Sequence, residues 1–80
     1  MDILQNVADE LAQEALKAQL DSGDEMIVDR VGEALGASSQ TLQEAYQTAV
    51  RVRRAEARAL AMLAEFRRQR AMSNAEHADE

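Results

Sequence analysis

Residues 39–72 read SQTLQEAYQTAVRVRRAEARALAMLAEFRRQRAM and contain neither proline nor glycine. Because no residue in this stretch obliges a helix to end, we predict one continuous α-helix from about residue 39 to residue 72. At 1.5 Å per residue such a helix is about 50 Å long, whereas a compact chain of this size has a radius of gyration of about 12 Å. The helix is longer than a compact monomer is wide, and we expect other helices to cover it.

The faces of this long helix differ in polarity. One narrow stripe is polar and comprises Gln43, Gln47, Arg51, Arg54, Arg58, Glu65 and Gln69. Most of the remaining circumference is apolar or small, an arc wider than the ~100° that a one-sided surface helix presents. We therefore expect neighbours on two sides, one supplied by the same chain and the other by a second copy. The predicted oligomer interface is Val52, Ala59, Leu60, Met62, Leu63 and Phe66.

Two shorter helices are predicted upstream, at about residues 2–20 and 23–35. Ser22 followed by Glu25 has the spacing of a capping box and predicts the start of the second helix. Gly36 is suited to a left-handed C-cap after it, and Ser38 or Ser39 to the N-cap of the third helix. The fold class is all-α: three helices with a long C-terminal one, forming a hairpin or bundle that homo-oligomerisation completes.

Composition favours the same architecture. The chain has 80 residues, no proline, three glycines and no cysteine. A single hydrophobic core in a chain of this size is only marginally stable. Disulfides cannot support it, so regular helix packing or oligomerisation must stabilise it. We predict one helical domain over residues 1–72, followed by a disordered acidic tail over residues 73–80.

Charge is distributed unevenly along the chain. Residues 1–50 contain ten acidic and two basic residues, a net charge of −8, whereas residues 51–70 contain seven arginines and two glutamates, a net charge of +5. Such a dipolar chain could pair with itself in an antiparallel sense, or offer one end to a charged partner.

Several function classes are not expected. The single histidine, His77, lies in the acidic tail, and the sequence has no glycine-rich phosphate loop and no serine near a basic side chain that could activate it. We expect no enzymatic activity, no metal and no cofactor. No apolar run approaches the ~18 residues of a membrane span, and the first residues are acidic rather than typical of a signal peptide. The expected location is the cytoplasm.

Residues 28–47 resemble the helix-turn-helix of bacterial and phage DNA-binding proteins. Val31, Leu35 and Leu42 match its inward apolar positions, and Gly32 matches the small residue where its helices meet. Gly36, Ala37 and Ser38 match the turn. The resemblance implies a DNA-reading face, which would comprise Ser39, Gln40, Thr41, Gln43, Glu44 and Gln47, with Arg51, Arg54 and Arg58 continuing the same stripe.

Three functions are therefore compared. The leading one is a small interaction module that forms a homodimer or higher helical oligomer through its third helix and can offer a charged surface to another protein. The alternative is a helix-turn-helix DNA-binding protein, a transcriptional regulator or a phage packaging component. A weaker alternative is an acidic inhibitor that mimics nucleic acid. The glycine and serines of the motif also suit any tight turn between helices, so they do not choose between these functions.

Overall fold

The computed structural model describes residues 2–78, with side chains up to Asn74. The described residues form three helices: α1 (Ile3–Ser22), α2 (Ile27–Ser38) and α3 (Gln40–Ala78). The predicted all-α class with a long C-terminal helix is confirmed. The radius of gyration is 18.2 Å and the principal extents are 64 × 32 × 12 Å. The molecule is thus elongated.

The first inter-helix turn differs from the predicted one. α1 begins after Asp2, whose Oδ1 accepts a 3.1 Å hydrogen bond from the Leu4 amide, and it continues through Ser22. The Ser22 hydroxyl donates to the Ala18 carbonyl, and the Asp24 carboxylate accepts from the Met26 amide. α2 therefore starts at Ile27 rather than residue 23, and the expected capping box does not form.

Gly23 ends α1 in the left-handed region, with φ of 74°, and its amide donates to the Gln19 carbonyl. The predicted left-handed cap at Gly36 is wrong, because Gly36 lies inside α2 and Gly23 has the only positive φ among the described residues. The reason for glycine at position 36 is steric. A Cβ atom there would lie 2.5 Å from Nε2 of Gln43 on α3.

Substitution of Gly23 by alanine tests this turn. We expect Gly23→Ala to lower the free energy of unfolding by about 1 kcal/mol, since an L-residue is strained at positive φ. A Cβ atom added at this position would have no neighbour within 4 Å, so the cost arises from the backbone alone. Urea denaturation measures it, and Gly23→Asn is the control because asparagine tolerates this conformation better. Equal stability of the wild type and both variants would contradict the assignment.

Ser39 alone separates α2 from α3. Its amide donates to the Leu35 carbonyl at the end of α2, and its hydroxyl accepts from the Leu42 amide at the start of α3. One residue thus caps both helices, and of the two predicted N-caps Ser39 is the one that forms. α3 continues to Ala78, six residues past its predicted end at Met72. Residues 73–78 of the predicted tail are therefore helical, and residues 79 and 80 lie outside the described residues.

The core is small and rich in alanine. Its buried residues are Ala8, Ala12 and Ala15 of α1, Val28 of α2, and Tyr46 and Val50 of α3. The three alanines let α1 approach α3 closely, and Gly32 does the same for α2, because the Tyr46 ring lies 3.4 Å from where its Cβ would be. The Tyr46 hydroxyl donates a 2.7 Å hydrogen bond to the Val28 carbonyl. Tyr46 thus joins α3 to α2 within this core.

The chain consists of two parts with different surroundings. We call residues 2–56 the body, and residues 57–78 the arm. Every side chain described in the arm is exposed. At 1.5 Å per residue the arm extends about 33 Å beyond the body.

Candidate protein interface

Within the body, α1 and α2 cover two sides of α3 and leave a third side open. On the α1 side, Arg53 is half-buried and bonded to Asp9. On the α2 side, Tyr46 and Val50 are buried. The open side carries Thr48 and Val52, both exposed, and the exposed fraction of Val52 is 59%. A second apolar face of α3 thus begins inside the body.

This open side continues along the arm as a regular apolar row. We call Val52, Ala55, Ala59, Met62 and Phe66 the seam. Successive members are alternately three and four residues apart, the spacing that keeps side chains on one face of a helix and that paired helices use. On a helix of 3.6 residues per turn they fall within about 80° of arc, on the opposite side from Tyr46 and Val50.

The seam side chains are accessible to solvent. The exposed fraction is 74% for Met62 and 58% for Phe66. Single exposed apolar residues are ordinary on protein surfaces, but a contiguous apolar row marks an interaction site. The arrangement therefore suits a second helix laid along α3.

The predicted interface residues do not all share this face. Val52, Ala59, Met62 and Phe66 lie on the seam, and Leu63 lies at its edge. Leu60 is rotated by about 100° from Ala59 and points to another side of the helix. Sequence reasoning missed Ala55, which the alternating spacing of three and four residues could have identified.

Charged side chains flank the seam on both edges. Arg58 and Glu65 lie along one edge, and Glu56 and Arg70 along the other. Within the chain, Glu65 accepts two hydrogen bonds from Arg68, at 2.5 and 3.0 Å, and the hydrogen bond from Arg68 is the main reason that the pKa of Glu65 is lowered. Both edges can therefore offer charges to a neighbouring helix.

An ion-pair cluster lies where the arm leaves the body. No pattern in the sequence indicated it. Arg53 donates to both carboxylate oxygens of Asp9, from Nε at 2.8 Å and from Nη2 at 2.6 Å, and from Nη1 to Glu56 at 3.1 Å. Gln13 also donates to Asp9. The hydrogen bond from Arg53 lowers the pKa of Asp9 and outweighs the opposite effect of desolvation. The cluster joins α1 to the base of the arm.

This cluster predicts a pH dependence of stability. Because the pKa of Asp9 is lower in the folded state than its ordinary value of 3.8, the Asp9–Arg53 pair stabilises the fold above that value. The contribution is lost as the pH falls through the folded-state pKa. We expect the melting temperature to fall below about pH 4, and to fall less steeply in Asp9→Asn. The control is Glu10→Gln, an exposed position on the same helix; the same pH profile in Asp9→Asn as in the wild type would refute the assignment.

The residues of the predicted DNA-reading face are divided between two environments. Gln43 is half-buried and donates a 2.9 Å hydrogen bond to the Gly32 carbonyl, and the hydroxyl of Ser39 caps α3. By contrast Gln40, Gln47, Arg51, Arg54 and Arg58 are exposed. Gln47, Arg51 and Arg54 border a groove between α2 and α3 whose other wall carries Asp29 and Glu33. DNA binding stays a prediction, as does the acidic mimic.

Neither the comparisons with known proteins nor a metal site or membrane span among the described residues indicates another functional surface. Comparison with family models, curated proteins and solved structures found no match to this chain. Among the described residues, no cluster of three histidine, cysteine or acidic side chains is arranged to hold a metal ion. No helix in the described part of the chain has the length and apolarity to cross a bilayer.

Proposed function

We propose that the chain is a non-enzymatic protein–protein interaction module that forms a homodimer or a higher helical oligomer through α3. The observation that carries the proposal is the seam, an apolar row on an arm that neither α1 nor α2 covers. In a monomer these side chains would stay in water.

Energetic considerations favour pairing. Burying a large apolar side chain contributes about 1.5–3 kcal/mol, and Val52, Met62, Leu63 and Phe66 are available in each copy. Association costs about 4–15 kcal/mol in lost translational and rotational freedom. Four such side chains from each of two copies contribute a gain of the same order as that cost.

The arm also gains helical stability from a partner. Isolated helices of about 12–15 residues are marginal in water, and most helical stability in proteins comes from packing of an apolar face. Every side chain described in the arm is exposed, so packing within the chain contributes little to the stability of this part of the helix. Pairing through the seam would supply the missing contacts.

The test is molar mass as a function of concentration. The chain mass is 8.8 kDa. We expect sedimentation equilibrium to give at least twice this value at high concentration, with the monomer appearing on dilution and helical circular dichroism decreasing with it. A mass of one chain at every concentration up to the millimolar range would overturn the proposal.

A further inference from the structure

We propose that two copies pair through their seams in an antiparallel sense, in the register that places Ala59 of one copy against Met62 of the other. The inference rests on the proposed homo-oligomer and adds the orientation and register of the partner helix. Three independent features of α3 lead to it: charge, side-chain size and the residues that flank the seam.

The charge distribution favours the antiparallel sense. Residues 2–56, the body, contain eleven acidic and five basic residues, a net charge of −6, whereas residues 57–74 of the arm contain four arginines and one glutamate, a net charge of +3. Parallel pairing would bring body next to body and arm next to arm. Antiparallel pairing moves the two negative bodies to opposite ends of the paired segment and so avoids the repulsion between them, which acts over ~8–10 Å at moderate salt.

Side-chain size favours one antiparallel register. In this register Ala59 faces Met62 and Ala55 faces Phe66, so that an alanine lies opposite each of the two largest seam side chains, as close packing requires. Parallel pairing would put each residue against its own copy, with Phe66 against Phe66 and alanine against alanine. Two adjacent alanine layers, followed by a layer of two methionines and a layer of two phenylalanines, would leave the helices too far apart to fill the space around Ala55 and Ala59.

The flanking charges favour the same register. Arg58 of each copy lies opposite Glu65 of the other, which gives two attractive pairs related by the twofold axis. A shift of one heptad in one direction brings Arg58 against Arg58 and Glu56 against Glu56. A shift in the other direction brings Glu65 against Glu65 and Phe66 against Met62. Like charges facing each other are destabilising, so neighbouring registers are disfavoured.

The open side of the body leaves room for the partner's arm. In this register the partner's arm reaches as far as Thr48 of this copy. Thr48 and Val52 are both exposed on that side. α1 and α2 pack on other sides of α3 and do not obstruct it. The paired segment therefore extends from the arm into the body.

The orientation is testable by distances between spin labels. The chain contains no cysteine, so Ala64→Cys and Ala71→Cys each introduce a single labelling site, on the side of the arm away from the seam. In the proposed register the axial separation between the two copies is about 10 Å at position 64 and about 30 Å at position 71. Double electron–electron resonance should therefore give a clearly longer distance for the Ala71→Cys dimer.

Other outcomes separate the two proposals. Equal distances at both sites, as an in-register parallel dimer gives, would overturn this inference while the homo-oligomer stands. Axial separations that both differ by about 10 Å from these values would indicate a shift of one heptad and overturn the register. No dipolar coupling at either site, with a monomeric mass, would overturn the homo-oligomer itself.

A charge exchange tests the flanking pair. We expect Arg58→Glu and Glu65→Arg each to raise the dimer dissociation constant about fivefold, and the double exchange to restore most of the affinity. Glu65→Arg also breaks the pair with Arg68 within the chain, and the double variant retains that loss. In a parallel dimer Arg58 would face Leu63, so strictly additive effects of the two exchanges would overturn the proposed contact.

Discussion

Phe66→Glu is expected to convert the proposed dimer into a monomer. The substitution places a carboxylate in the seam of both copies, opposite Ala55 of the partner, where it would lose its hydration on pairing. Central aromatic residues of interfaces contribute about 2 kcal/mol or more, so we expect the dimer dissociation constant to rise by more than about a hundredfold. Sedimentation equilibrium measures the change.

The fold of the body should not depend on this substitution. Phe66 is 58% exposed and lies in the arm, where no contact with α1 or α2 supports it. The matched control is Ala64→Glu, which adds the same charge to the same arm on the side away from the seam. If both variants, or neither, dissociate, the seam is not the interface.

Tyr46→Ala is expected to cost about 3–5 kcal/mol of stability, the range observed when a large buried aromatic side chain is removed. Tyr46 is the largest fully buried side chain, and its neighbours include Gly32 and small residues of α1 that cannot expand into the space. A domain of this size has a total stability of about 4–12 kcal/mol. The variant should therefore be partly or wholly unfolded at 25 °C, as urea denaturation followed by circular dichroism will show.

Tyr46→Phe separates packing from hydrogen bonding. It keeps the ring but removes the hydroxyl that donates to the Val28 carbonyl, and we expect it to cost about 1 kcal/mol. Burial raises the pKa of the Tyr46 hydroxyl, so it stays protonated and able to donate at neutral pH. A loss in Tyr46→Ala no larger than in Tyr46→Phe would contradict the central role of the ring.

The turns show why helix boundaries were harder to predict than helices. The predicted cap at Gly36 and the capping box at Ser22 both relied on residue types that suit a helix end. Gly23 and Gly36 are equally able to adopt positive φ, and only the structure shows that Gly23 does so while Gly36 makes room for Gln43. Local propensity cannot decide between these roles because the second depends on a side chain from another helix.

The candidate interface was predictable in part. The two-sided apolarity of residues 39–72 indicated a face for a second helix, and five of the six predicted residues lie on or beside the open side. Leu60 lies outside the seam and Ala55 lies within it, because the prediction considered apolar character without helical angle. The Asp9–Arg53 pair could not be found, since its members are far apart in the chain and nothing in the local pattern links them.

The sequence by itself determined that this chain is helical, that its third helix is long, and that the negative and positive charges lie at opposite ends, because propensity, the absence of breakers and composition are local properties. Only the tertiary structure decided which side of α3 is left open. That choice depends on where three alanines of α1 and Gly32 of α2 allow close approach, and close approach is a property of facing surfaces rather than of any one segment.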